Sequence, residues 1–159
     1  MLLPPSNEQK EFLVYHSAIL LRSLFLWTGR NLIEPNLSVY KQAQQLFYAP
    51  VVVLSHNNAA EPIFTYGNNA ALQLFELSWE ELIQRPSRLS AEPVHQSERQ
   101  RLLTTVERQG YINDYRGVRI SKTGQRFLIE RATIWNLLAD NGYYYGQAAM
   151  FSDWTFLDG

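Results

Sequence analysis

Beyond Gly110 the chain reads as three strands in succession, and that run constrains the fold more than any other feature of the sequence. YINDYRGVRI, RFLIERATIW and YYYGQAAMF are rich in β-branched and aromatic residues. They are parted by Ser121-Lys122-Thr123-Gly124 and by Asp140-Asn141-Gly142. Both separators are hairpin signals, so the strands are predicted to pair antiparallel. A three-residue loop with Gly124 in the left-handed region pairs Ser121 with Gln125, bringing Arg116 opposite Glu130 and Val118 opposite Leu128. Counted from there, one sheet face carries Tyr115, Phe127, Ile129, Thr133 and Trp135, and the other Val118, Ile120, Leu128 and Ile134. Both faces are apolar, so both need a cover.

The upstream sequence offers covers. Ser6 and Gln9 have capping-box spacing, and a helix is predicted from about Asn7 to Thr28. Phe12, Leu13, Ile19, Leu20, Leu24 and Trp27 recur in it at three- and four-residue steps, giving one apolar face. A shorter helix is predicted from Ser38 to Phe47. VVVLSH (51–56) and IFTYG (63–67) read as strands around a turn at Asn57-Asn58 and Glu61-Pro62. NNAALQLFEL is helical, Ser78 with Glu81 forms a second capping box, and Pro93 opens a helix that Gly110 closes. The expected fold is α+β: a five-stranded antiparallel sheet with helices on one face, plus an N-terminal helical extension. Residues 1–48 form that extension, packing on the sheet within the chain or mediating a dimer, and residues 49–159 form the domain.

Several chemistries are excluded. The chain has no cysteine, so disulfides, thiolate zinc sites, iron–sulfur clusters and cysteine nucleophiles are ruled out. A net charge of -1 argues against a nucleic-acid partner. The apolar stretch from Ala18 to Trp27 is interrupted by Arg22 and Ser23 and is too short to span a bilayer. MLLPPSNEQKEF lacks the order of a secretory signal, so a cytoplasmic location is expected and the Asn36-Leu37-Ser38 glycosylation triplet is read as chance.

From Val51 to Thr155 the order of elements resembles that of PAS domains. Asn68-Asn69-Ala70 with Leu74-Phe75, then Trp79-Glu80-Glu81-Leu82, is similar to the PAS helix and the turn after it. RISKTGQRFLIE resembles the PAS hairpin, and Asp153-Trp154-Thr155 falls where PAS domains end on Asp-x-Thr. Within that class, RPSRLSAEP, YRGVRIS, WNL and GQAAMFSDW most resemble the MEKHLA domain, a PAS-related module. It occurs alone in bacteria and at the carboxyl end of some plant homeodomain–zipper proteins. The stand-alone bacterial type is the form expected here, without the plant role. The resemblance implies sensing of light, redox state or a small ligand, or contact with a partner protein.

Particular residues decide among these. Light-sensing PAS domains form a flavin adduct on a thiol, and Ser87 occupies that place here, so no covalent flavin adduct is expected. Of His16, His56 and His95, only His95 falls near a haem-ligand helix, and it sits at the helix start among charges; haem is not expected. No metal-ligand spacing and no catalytic motif occurs. Arg85, Arg88, Arg99, Arg101 and Arg108 alternate with Glu92, Glu98 and Glu107, which reads as a solvated helix face. Arg88 stands apart beside Ser87 and Ser90, where its fork could hold a carboxylate or phosphate; tying that loop to a carbonyl is the expected role. Gly146-Gln147-Ala148-Ala149 leaves space above a strand for a ligand or a closely packed helix. The candidate ligand contacts are Arg88, Trp135, Gln147 and Asn68, although the tryptophans suit core packing better than a cofactor cage. The leading expectation is a non-catalytic sensory or binding module. The alternatives are a homodimerisation module with a filled core, and a cone-shaped isomerase relying on Asp114, Glu130 or Asp153.

Overall fold

The computed structural model describes residues 7–158; Ser6, half of the first predicted capping box, lies outside them. Two helices open the chain, α1 (Asn7–Thr28) and α2 (Val39–Phe47), followed by β1 (Val52–Asn57), β2 (Phe64–Gly67), α3 (Asn69–Phe75), α4 (Trp79–Leu82) and a 3₁₀ turn at Ser87–Ser90. Then come α5 (Pro93–Gln109), β3 (Tyr111–Ile120), β4 (Arg126–Leu138), β5 (Tyr144–Phe151) and β6 (Asp153–Phe156). The capping box of Ser78 and Glu81 forms as its spacing requires. Ser38 and Asn68 cap α2 and α3 with their side chains.

The sheet is antiparallel in the order β2-β1-β5-β4-β3, the five strands expected. The short β6 is a sixth. It pairs with β4 over Phe127–Glu130 while β5 pairs over Thr133–Leu138, so β5 and β6 lie end to end along one edge of the long β4.

The β3–β4 hairpin keeps the predicted register near its turn: Val118 faces Leu128, Ser121 donates to the Gln125 carbonyl at 2.9 Å, and Arg116 meets Glu130 at 3.5 Å. Farther out, each strand holds one extra residue. Asp114 (φ 60°) and Arg131 (φ 54°) sit in the left-handed region where the register shifts, a mark of β-bulges. A bulge reverses side-chain parity. Trp135 and Thr133 therefore do not share a face with Phe127 and Ile129 as simple alternation predicts, and Ile134 replaces them there.

Two cores result. On one face, Val52, Leu54, Phe127, Ile129, Ala132, Ile134 and Phe151 pack against α3 and α5. On the other, Val53, Tyr66, Trp135, Leu137 and Met150 meet Leu13, Ile19, Leu20 and Leu24 of α1, the predicted apolar stripe. Polar ties fix the helix: the Trp27 indole donates to the Asn136 carbonyl at 2.9 Å and the Trp135 indole to the Leu20 carbonyl at 3.3 Å. The Trp27 ring also lies against Gly110 (φ 97°), where a Cβ would come within 2.4 Å of it. Glycine is needed there for both its conformation and its bareness.

Candidate functional site

Between α5, the 3₁₀ turn and the sheet lies a largely apolar cavity of about 80 Å³, walled by Leu54, Phe75, Leu102, Ile134, Ala149 and Phe151 among others. Ala149 faces Leu54 and Ile134 across the strand register and leaves this space. Its neighbour Ala148 points to the opposite core, under α1. The small residues of β5 thus leave space on one face of the sheet and admit a closely packed helix on the other.

A chain of hydrogen bonds ties three residues of the cavity wall, His56, Arg99 and Gln147, to side chains behind it. Arg99 donates to Ser87 Oγ at 2.8 Å, and Ser87 Oγ lies 2.9 Å from His56 Nδ1. His56 Nε2 lies 3.1 Å from Gln147 Oε1, and Gln147 Nε2 donates to the Leu103 carbonyl at 2.9 Å and to Asn136 Oδ1 at 3.3 Å. Asn136 in turn donates to the carbonyls of Val106 and Glu107. Since the Gln147 oxygen only accepts, His56 carries its proton on Nε2 and accepts a hydrogen bond from the Ser87 hydroxyl at Nδ1. The imidazole is held neutral. Burial, then the Arg99 charge, lowers its pKa to about 4 against a lesser opposing effect of Gln147.

Arg99 and Arg119 both line the cavity and are only 7% and 8% exposed. Arg119 donates to the Val118 carbonyl at 2.8 Å and to the Tyr115 hydroxyl at 3.3 Å, and that hydroxyl donates to both Glu98 oxygens at 2.9 Å. Desolvation, and then the Arg119 charge, lowers the Arg99 pKa to about 10.

Of the four candidate contacts, the structure brings only Gln147 to the cavity. Arg88 lies outside it, half exposed and paired with Glu61 at 2.9 Å. Asn68 is committed to the backbone: its Oδ1 accepts from the amides of Val53 and Ala71, and its Nδ2 donates to the carbonyls of Leu46 and Val51. Trp135 is buried under α1 on the opposite face. His56, Ser87, Arg99 and Arg119 were missed. Arg99 precedes Leu102 by three residues and Val106 by seven, so helical spacing sets it on the buried face of α5, which the alternating charges around it obscured. Arg119 lies opposite Phe127 in the hairpin register, on a face that strand alternation makes apolar.

A flavin does not suit this cavity. The wall carries Ser90 and the hydrogen-bonded His56, Ser87 is engaged by Arg99 and His56, and about 80 Å³ is well below the roughly 300–1,000 Å³ typical of pockets for large organic ligands. His95, the candidate haem ligand, is not part of the wall. Of the isomerase acids, Glu130 is ion-paired to Arg116 and Asp153 to Arg131 at the surface, and Asp114 is exposed. They do not form a buried pair. Among the described residues no three metal-ligating side chains converge, and no helix is long and apolar enough to cross a membrane.

The family model of the MEKHLA domain matches residues 14–156. Two curated relatives are the homeobox-leucine zipper proteins ATHB-9 and ATHB-14 of Arabidopsis thaliana, each 26% identical over 110 residues. The match takes in 67% of this chain but 13% of either relative's length. Among solved structures, a PAS domain from Colwellia psychrerythraea superposes with a TM-score of 0.60 at 18% identity, over 75% of this chain and 94% of the other. An RNA-binding light-oxygen-voltage receptor gives 0.59 at 16% identity, over 81% and 35%. These structural likenesses concern the fold.

Proposed function

The chain belongs to the MEKHLA domain family, and on that footing we propose that it is a sensory module of PAS type that takes up a small molecule between α5 and the sheet. The observation that carries this reading is the cavity itself. Arg99, His56 and Gln147 line a largely apolar space and are tied to one another and to the fold through Ser87 and Asn136, the arrangement of an orienting polar edge on an apolar pocket. The Ser87 hydroxyl does meet the His56 imidazole, but the ring is oriented by the neutral Gln147 rather than by a carboxylate, and Arg99 occupies the Ser87 oxygen. The module is therefore read as non-catalytic and its output as a protein contact in the cytoplasm. The second reading, a homodimer or partner interface, is favoured by the outer face of α1, where Phe25 and Leu26 are 48% and 60% exposed. In either reading α1 and α2 belong to the folded unit as its second cover.

Ala149→Leu tests the cavity, since the added methyl groups project into it. Against a library of small metabolites, compounds that raise the melting midpoint of the natural chain are expected to lose most of their effect on the variant. The unliganded midpoint should move by no more than about 3 °C, the scale of roughly 1 kcal/mol in a chain of this length. Identical stabilisation of both proteins would remove the cavity from the function.

A further inference from the structure

We propose that the cavity binds a small monocarboxylate, its head held between the guanidinium groups of Arg99 and Arg119 and its short apolar chain lying along Leu54, Ile134, Ala149 and Phe151. The inference deepens the ligand-binding reading and rests on it. Two buried cations line one small space, and neither takes part in any of the six ion pairs among the described residues. A guanidinium has five donor hydrogens. The Arg99 side chain uses its donors on Ser87 Oγ, and that of Arg119 on one carbonyl and the Tyr115 hydroxyl, with the Tyr115 ring 5.6 Å beneath it. Glu98 is engaged by the Tyr115 hydroxyl through both its oxygens and pairs with neither arginine.

Two unneutralised like charges in a desolvated space are unfavourable unless an anion completes them. The fork of a guanidinium matches a carboxylate, which can accept from both arginines at once. The apolar part of the wall selects the other end of the molecule. Leu54, Leu102, Ile134 and Phe151 offer no donors, which suits an alkyl chain and disfavours a fully hydrated polyanion. The limited volume keeps that chain short.

The test uses the full chain at fixed ionic strength, with acetate, butyrate and hexanoate, the neutral butyramide, and inorganic phosphate as probes. At equal concentrations the carboxylates are expected to raise the melting midpoint in order of chain length, each reaching roughly 5–10 °C at a hundred times its own dissociation constant, with no effect from butyramide. Arg119→Met should weaken butyrate binding at least tenfold while raising the midpoint of the ligand-free protein, because an unpaired buried charge has gone. Arg119→Lys, which keeps the charge but not the fork, should also lose affinity.

A variant Arg119→Met that melts lower or fails to fold would show the arginine to be structural and overturn the proposal. So would carboxylate effects that survive in it, or phosphate acting more strongly than hexanoate. Stabilisation by butyramide alone would end the anion assignment and leave the ligand-binding reading standing. Silence from every probe, with no metabolite distinguishing the natural chain from Ala149→Leu, would end both.

Discussion

Deleting residues 1–48 is expected to make the chain aggregate and lose most of its stability. α1 and α2 bury Leu13, Ile19, Leu20, Leu24 and Leu46 almost completely against the sheet. At about 1.5–3 kcal/mol for each fully buried aliphatic side chain, their loss removes roughly 10 kcal/mol. That is comparable with the whole stability of an ordinary domain, about 5–15 kcal/mol. The sheet would then expose Val53, Tyr66, Trp135, Leu137 and Met150 as one patch, and the Trp135 indole and the Leu138 amide would lose their partners on Leu20 and Ser23. Size-exclusion chromatography with light scattering, and a thermal melt, measure both consequences. A truncated protein that stays soluble, monomeric and equally stable would make α1 an appendage.

Acidification is the second large effect. His16 is fully buried, stacked between Phe12 and Tyr66, with Nε2 at 2.8 Å from Ser55 Oγ. Burial lowers its pKa from 6.5 to about 3, and that of His56 falls to about 4. The folded chain therefore binds fewer protons at these sites than the unfolded chain does. Their effect on stability is nil well above pH 6.5, grows as the pH falls through 6.5, and levels off only near the folded values. Between pH 7 and pH 5 each histidine is expected to remove about 2 kcal/mol, an order-of-magnitude figure from linkage. Urea unfolding at pH 7, 6 and 5 measures the sum. His16→Phe keeps the ring stack and leaves Ser55 its bond to Thr65, and it should remove about half of the pH dependence. A stability that is flat from pH 7 to 5, or a slope untouched by the variant, would contradict the burial of a neutral imidazole.

The strands, helices and caps were legible because their signals are local. Gly124 and Gln125 set the hairpin, Ser78 and Glu81 the cap, and the stripe from Leu13 to Leu24 the cover of the second face. The bulges at Asp114 and Arg131 carried no such signal, since neither residue is a glycine. Passing over them sent Trp135 to the wrong side of the sheet. The site was less legible than the fold for a related reason. Its members come from β1, the 3₁₀ turn, α5, β3, β4 and β5, and nothing in the spacing of His56, Ser87, Arg99, Arg119, Asn136 and Gln147 announces that they meet. Of these only Gln147 declared itself, through the small residues around it. Arg88 drew notice through its neighbouring serines, yet the turn points it outward to Glu61 while Ser87 points in.

Amide chemical-shift mapping decides whether the cavity is the functional site. Spectra of the full chain would be recorded with and without whichever metabolite raises its melting midpoint most. Large shifts are expected at Leu54–His56, Ser87–Ser90, Arg99–Leu103, Arg119 and Gln147–Ala149, with α1 nearly unmoved. Shifts centred instead on the groove of Phe12, Ile63 and Trp79, or on the outer face of α1 around Phe25, would place recognition elsewhere and contradict the assignment.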